Sequence, residues 1–282
     1  MGPSAIRYAG LIDELEAAGV ECEDMGNVRV PPLRFQGDGE QPVANANHLD
    51  EVAEVSSRLA DEVADACAAG ALPIVIGGDH SLAIGTVAGA ARDADLGLVW
   101  FDAHGDYNTP DTSPSGNIHG MPLAASLGKG AFADMDWARA DGLREENVVW
   151  VGLRDLDDAE AKAIKESDAT AYTMADIDER GINEVTEEAL DVAAAGVDGL
   201  HISLDLDWLD PQIAPGVGTP VRGGVTFREA HAAMETVAER DRSEGILHSF
   251  EVVEVNPILD SHNQTAELAA EFTASALGKR VL

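Results

Sequence analysis

Short apolar runs of strand length alternate with longer stretches of helical spacing along this chain. Leu72 to Ile76, Leu98 to Phe101, Val148 to Val151, Leu200 to Leu204 and Phe250 to Val255 are dominated by apolar residues. Strands with no polar face need cover on both sides, which is the condition of a parallel sheet between helices. Between the runs, residues 47–69 place Val52, Val55, Leu59, Val63 and Ala66 on one helical stripe that stops at Gly70. Ser81 onward, Asp157 to Lys165, Phe227 to Arg240 and Thr265 to Leu277 carry similar patterning. Strands spaced by helices predict an α/β chain with a parallel sheet. No linker, composition break or internal repeat divides the 282 residues, so a single domain over 1–282 is expected.

Three of the strands run directly into short polar strings: Gly77-Gly78-Asp79-His80, Asp102-Ala103-His104-Gly105-Asp106 and Asp205-Leu206-Asp207. In open parallel sheets, ligands gather beyond the carboxyl ends of the strands, so all three strings are predicted to meet at one sheet edge. The first string alone is weak. Paired glycines make a tight turn, Asp79 is a natural helix cap, and the spacing is not that of a phosphate loop. The second puts three possible ligands within five residues. If the strand continued, Asp102 and His104 would face the same side. The third has the same spacing at Asp205 and Asp207, and Trp208 and Leu209 stand where a calcium loop needs oxygen ligands. Four carboxylates buried together without a cation would force protonation. Imidazole and carboxylate without thiolate suit a borderline-hard divalent pair such as Mn(II) better than a structural zinc. Such a pair activates water. Glu254, in an apolar run, calls for a cationic partner from the protein or from a ligand.

Composition narrows the partners. Asp and Glu number 52 against 18 Lys and Arg, for a net charge of −34. That balance argues against nucleic-acid binding, which needs basic patches. It predicts an acidic, heavily solvated surface, as in cytoplasmic proteins of salt-accumulating cells. Cys22 and Cys67 form no CxxC motif and no disulfide framework, which fits a reducing interior. No basic-then-apolar leader is visible, and no run approaches the ~18 apolar residues of a membrane span. A soluble cytoplasmic protein is expected.

With its motifs assembled in order, the chain resembles the arginase branch of the ureohydrolase family. The resemblance rests on GGDHS, DAHGD followed by NTP, SGNIHG, GLRDLD at 152–157, SLDLDWLDP at 203–211, GTPV at 218–221 and VEVNP at 253–257. It implies a three-layer α/β/α domain, a mostly parallel sheet of about eight strands and two Mn(II) ions. One ion would be held by His80, Asp102, Asp106 and Asp205, the other by Asp102, His104, Asp205 and Asp207. The shared hydroxide would attack a guanidinium carbon, with Asp106 orienting it. Glu254 matches the carboxylate that pairs with the guanidinium, and His119 the proton shuttle to the leaving amine, a task for a side chain that can both take and give a proton. Asn108, Ser115 and Asn117 match readers of an α-carboxylate, Asp157 the reader of an α-ammonium, and Thr219 lies in the active-site GTPV segment. The resemblance thus implies hydrolysis of L-arginine to L-ornithine and urea in a homo-oligomer, a trimer or hexamer. Agmatinase, another guanidino-acid hydrolase and a catalytically silent arginine-binding relative are the rival readings. Family members carry a strand ahead of the segment matching Gly2–Arg7, where this chain begins, so a sheet of seven strands is the alternative to eight.

Overall fold

The computed structural model of the protein describes residues 1–31 and 43–280. Ten helices and six strands alternate over these residues. Helices α1 (Gly2–Tyr8), α2 (Leu11–Ala17) and α3 (Leu49–Ala68) precede β1 (Ile74–Ile76). Helix α4 (Ala83–Ala90), β2 (Leu96–Phe101), α5 (Pro122–Ser126) and β3 (Leu143–Leu153) follow. Next come α6 (Asp158–Glu166), β4 (Thr170–Thr173), α7 (Met174–Arg180) and α8 (Ile182–Ala193). The chain closes with β5 (Gly199–Asp205), α9 (Phe227–Glu244), β6 (Leu247–Val253) and α10 (Gln264–Ala276).

The strands form one parallel sheet in the order β1-β6-β5-β2-β3-β4. Every residue of β2 and β5, the two central strands, is buried. Alternate side chains serve opposite faces. Val99 and Phe101 pack with α7 to α10 through Ala189, Met234 and Phe272. Leu98 and Trp100 pack with α3 to α6 through Leu59, Val87 and Ile164. Each fully buried Phe or Leu of these layers contributes about 1.5–3 kcal/mol relative to exposure.

Six strands, rather than eight or seven, form the sheet among the described residues. The Gly2–Arg7 segment opens as a helix with proline in its first turn and packs against the sheet's edge. No strand precedes Ile74 in the described residues. Two further boundaries shift. Ser81 belongs to a short 3₁₀ turn, His80–Leu82, ahead of α4, and β6 stops at Val253. Glu254 therefore lies just beyond the strand, with a left-handed φ of 62°.

The order of connections positions the site. From β2 the chain moves to β3 and β4 on one side; from β5 it moves to β6 on the other. The crevice between the carboxyl ends of β2 and β5 is the topological switch point, where ligands of such sheets bind. Phe101 pairs with Leu204, so Asp102 and Asp205 emerge side by side there.

Candidate metal centre and its cleft

Each motif leaves its strand by the same local device. A strand-end aspartate turns back and accepts the N–H two residues on, an Asx turn. Asp79 accepts from Ser81 at 3.0 Å, Asp102 from His104 at 2.7 Å and Asp205 from Asp207 at 2.7 Å. Asp102 and His104 thus share a side through a turn, not through the pleat of a continuing strand, because β2 has already ended at Phe101.

These turns bring two histidines and four aspartates together. His80 Nδ1 lies 3.0 Å from both Asp106 Oδ2 and Asp205 Oδ2, and 3.4 Å from Asp102 Oδ2. His104 Nδ1 lies 3.1 Å from Asp207 Oδ2 and 3.4 Å from Asp102 Oδ1. Two ligand-like sets result, His80/Asp102/Asp205 and Asp102/His104/Asp207, joined at Asp102, with each set's donor atoms within 4.8 Å of one another. Asp106 joins the first through its contact with His80, and Asp205 falls in the first set only. Asp106 holds a left-handed φ of 49°, an uncommon position for a residue with a side chain. Trp100 supports both ligand types. Its ring stacks on His80 at 4.2 Å, and its Nε1 donates to Asp102 Oδ2 at 2.8 Å.

The cluster is short of positive charge. Burial and the Asp102 charge push Asp106 up to about 7. Burial and the neighbouring Asp207 and Asp102 push Asp205 well above the usual carboxylate range. Burial opposes a charged His104, but its bonds to Asp102 and Asp207 outweigh that and push it up to about 12. Buried His80 Nδ1 has no hydrogen-bond partner among the described residues, although three carboxylates face it. A cation held by that nitrogen and those oxygens relieves both deficits. The residues therefore fit a divalent metal, with a donor set that is nitrogen and oxygen throughout.

The cluster floors a cavity of about 150 Å³. Asn108, Ser115, His119, Asp157, Thr219 and Glu254 line its walls. Asn108 donates to Asp157 Oδ2 at 3.0 Å and accepts from Thr112, which ties the two predicted substrate readers together. Thr219 donates to Asp207 Oδ2 at 2.8 Å. Glu254 is clamped by backbone: its N–H donates to Gly78 O, and its Oε1 accepts the His80 N–H at 2.8 Å. Burial and nearby Asp79 push its carboxyl up to about 8, and the partner that holds it is a backbone N–H. His119 sits on a 3₁₀ turn, Ile118–Gly120, facing the same cavity. Asn117 is the exception. It is exposed, lies outside the lining, and accepts from Asn47 at 2.9 Å.

Sequence reasoning missed three residues that shape the site. Trp100 is one. Arg154 is a second, its Nη2 within bonding distance of the Asp207, Leu209 and Val221 carbonyls. The third is Glu160, buried against the cavity, which accepts the N–H of Tyr107 at 2.9 Å and completes the cap of α6 with Asp157. Only Glu160 had a local signal, the Asp-x-x-Glu of a capping box.

A switch-point cleft with this donor set defines a metal-binding α/β hydrolase. Comparison with known proteins makes the class narrower. Residues 1–278 match the family described as the arginase family. The arginase of Bacillus subtilis is 49% identical over all of this chain and 93% of its own length. The native structure of Bacillus caldovelox arginase superposes with a TM-score of 0.92 at 47% identity, over 100% of this chain and 93% of that one. Entamoeba histolytica arginase, solved in complex with L-ornithine, has a TM-score of 0.85 at 32% identity, over 99% and 92%. The chain belongs to the arginase family and is an enzyme, a hydrolase.

Proposed function

We propose that the protein hydrolyses L-arginine to L-ornithine and urea at a pair of Mn(II) ions. One observation carries this reading. A single cavity joins the two histidine–aspartate sets to Glu254 and to the Asn108–Asp157 pair. A guanidinium at the floor and an amino-acid end at the wall match that layout in charge and hydrogen bonding.

His80, Asp102, Asp106 and Asp205 would hold one ion, and Asp102, His104, Asp205 and Asp207 the other. When bound, such a pair lowers the pKa of a water toward neutrality and makes it nucleophilic. Asp106 orients that nucleophile. Glu254, fixed by the His80 N–H, pairs with the substrate guanidinium and aligns its carbon. Hydrolysis would join the oxygen of water to that carbon and break its bond to the side-chain nitrogen, and His119 would deliver the proton that lets the amine leave. Asn108, Ser115 and Asn117 receive the α-carboxylate and Asp157 the α-ammonium. Asn117 stands outside the cavity lining with its oxygen engaged by Asn47, so it would reach that carboxylate only through its amide NH₂ from beyond the wall. Thr219 steadies Asp207. The same reading takes residues 1–282 as one domain of a cytoplasmic, salt-adapted homo-oligomer, a trimer or hexamer.

The test is urea release from L-arginine and from agmatine, side by side, with Mn(II) in concentrated potassium chloride. Agmatine lacks the carboxylate, so Asn108 and its neighbours would be left unpaired, and that mismatch costs orders of magnitude. Arginine turnover with agmatine at least 100-fold slower is expected. Dominant agmatine turnover would overturn the substrate reading. Asp207→Ala should lose manganese and activity together; full metal content with normal turnover in that variant would refute the ligand set.

A further inference from the structure

Beneath the candidate metal centre lies a second polar group that the proposed reaction does not use. His201, Ser203, Ser249 and Glu251 are each 0% exposed, in the middle of the sheet. They form two rungs of the β5–β6 ladder, Ser203 beside Glu251 and His201 beside Ser249, on one face of the sheet. His201 Nδ1 lies 2.7 Å from Ser249 Oγ, and its Nε2 points toward Glu251 Oε1 at 3.4 Å. Both Glu251 oxygens and His201 Nε2 are without a hydrogen-bond partner among the described residues. The group reaches the centre through Ser203, whose Oγ lies 2.8 Å from His80 Nε2.

Stability of the sheet does not account for these residues. A buried carboxylate and imidazole lose more hydration than their attraction returns in most settings, and an apolar pair would pack as well. Their connection to His80 supplies a reason. If Nδ1 of His80 is to offer its lone pair to a metal, the ring proton must sit on Nε2 and be accepted there. Ser203 Oγ is the acceptor in reach. Its own hydrogen is then free for a second bond, and Glu251, on the same rung and 3.8 Å from His80 Nε2, is the acceptor facing it. His201, held from behind by Ser249, is the other donor in reach of Glu251, its Nε2 3.4 Å from Oε1.

We propose that Ser249, His201, Glu251 and Ser203 form a buried relay of positioning residues. It fixes His80 in the tautomer and orientation that present Nδ1 to a metal ion. The inference rests on the metal reading above, and it assigns the relay to one of the two ions only, the one shared by His80, Asp106 and Asp205. Among the described residues, no hydrogen bond or ion pair joins it to His104 or Asp207.

Manganese affinity, measured by titration calorimetry on the metal-free full chain, separates this from a structural role. So does manganese content after gel filtration in metal-free buffer. Ser203→Ala and the isosteric Glu251→Gln should each weaken one ion by about 10–100-fold, the size of effect seen for partners of metal-ligating histidines. Content should fall from two ions per chain to about one. Ser203→Thr, which keeps the hydroxyl, should bring the second ion back. The metal-free unfolding midpoint of Ser203→Ala should stay close to the parent's. If both variants bind two ions as tightly as the parent, the relay is refuted, whatever happens to their stability. If the parent chain itself binds no manganese, the metal reading fails and the relay with it.

Discussion

Arg154 shows how much one side chain can decide here. Its Nη2 reaches three backbone carbonyls on the two loops that carry Asp207 and Thr219. All three converge on the outermost nitrogen of the guanidinium, one bond farther along the side chain than a lysine ammonium. Arg154→Lys should therefore lower kcat/KM for urea release by about 10–100-fold while the fold survives; unchanged kinetics would mean the loops hold themselves. Glu145 offers a titration away from the centre. Burial pushes its carboxyl up, but bonds to Lys129 at 2.7 Å and to the Tyr107 hydroxyl outweigh that and leave it below its usual value. A lowered folded-state pKa contributes stability above the unfolded value, and that contribution is lost as pH falls through the folded one. The unfolding midpoint of Glu145→Gln should lie below the parent's near pH 7 and converge with it below about pH 4. A gap that persists at low pH would assign the effect to packing instead. Asp102, His104, Asp106, Asp205 and Asp207 were legible because each sits two residues from another at a strand end, whereas His80 stood out only beside those strings. Trp100, Arg154 and Glu251 were not, since their partners lie on other strands and loops.

Helix α4 illustrates what packing adds to pattern. Gly85 and Gly89 form the face that meets α3. A Cβ on Gly85 would come within 2.7 Å of Ser56 O, and one on Gly89 within 2.5 Å of Ala60 O. Alanine gains up to about 1 kcal/mol of helix propensity over glycine. Forcing backbone apart in a packed layer costs about 1–3 kcal/mol. The clash wins, so Gly89→Ala should reduce unfolding free energy in a urea titration; a stabilised variant would show that α3 yields freely. The expected long helices and central strands match α3, α9, α10, β2 and β5 closely, because period and burial agree in each. Strand β4 escaped notice as four residues at the sheet's edge of which only Tyr172 is buried. Helix α8 carries a clear stripe of Ile182, Val185, Ala189 and Ala193 that its acid-rich setting obscured.

For the molecule as a whole, the net charge of −34 is the dominant property outside the cleft. Like charges at that density oppose compaction. Salt shortens the reach of that repulsion from about 10 Å at 0.1 M to about 3 Å at 1 M. The unfolding midpoint should rise by several degrees as potassium chloride is raised from 0.1 M and flatten beyond about 1 M. A flat or falling midpoint would remove the argument for salt adaptation. The sheet order has a different consequence. The cleft draws on the ends of β1, β2, β5 and β6, and the bond from His80 N–H to Glu254 spans 174 residues. Contacts so distant along the chain form late, after many loops have closed. A ribosome still making β6 carries a nascent chain with three polar strand ends and nothing yet to complete them. Because β1 joins the sheet only through β6, His80 comes beside the two aspartate strings only when the last strand of the sheet is in place.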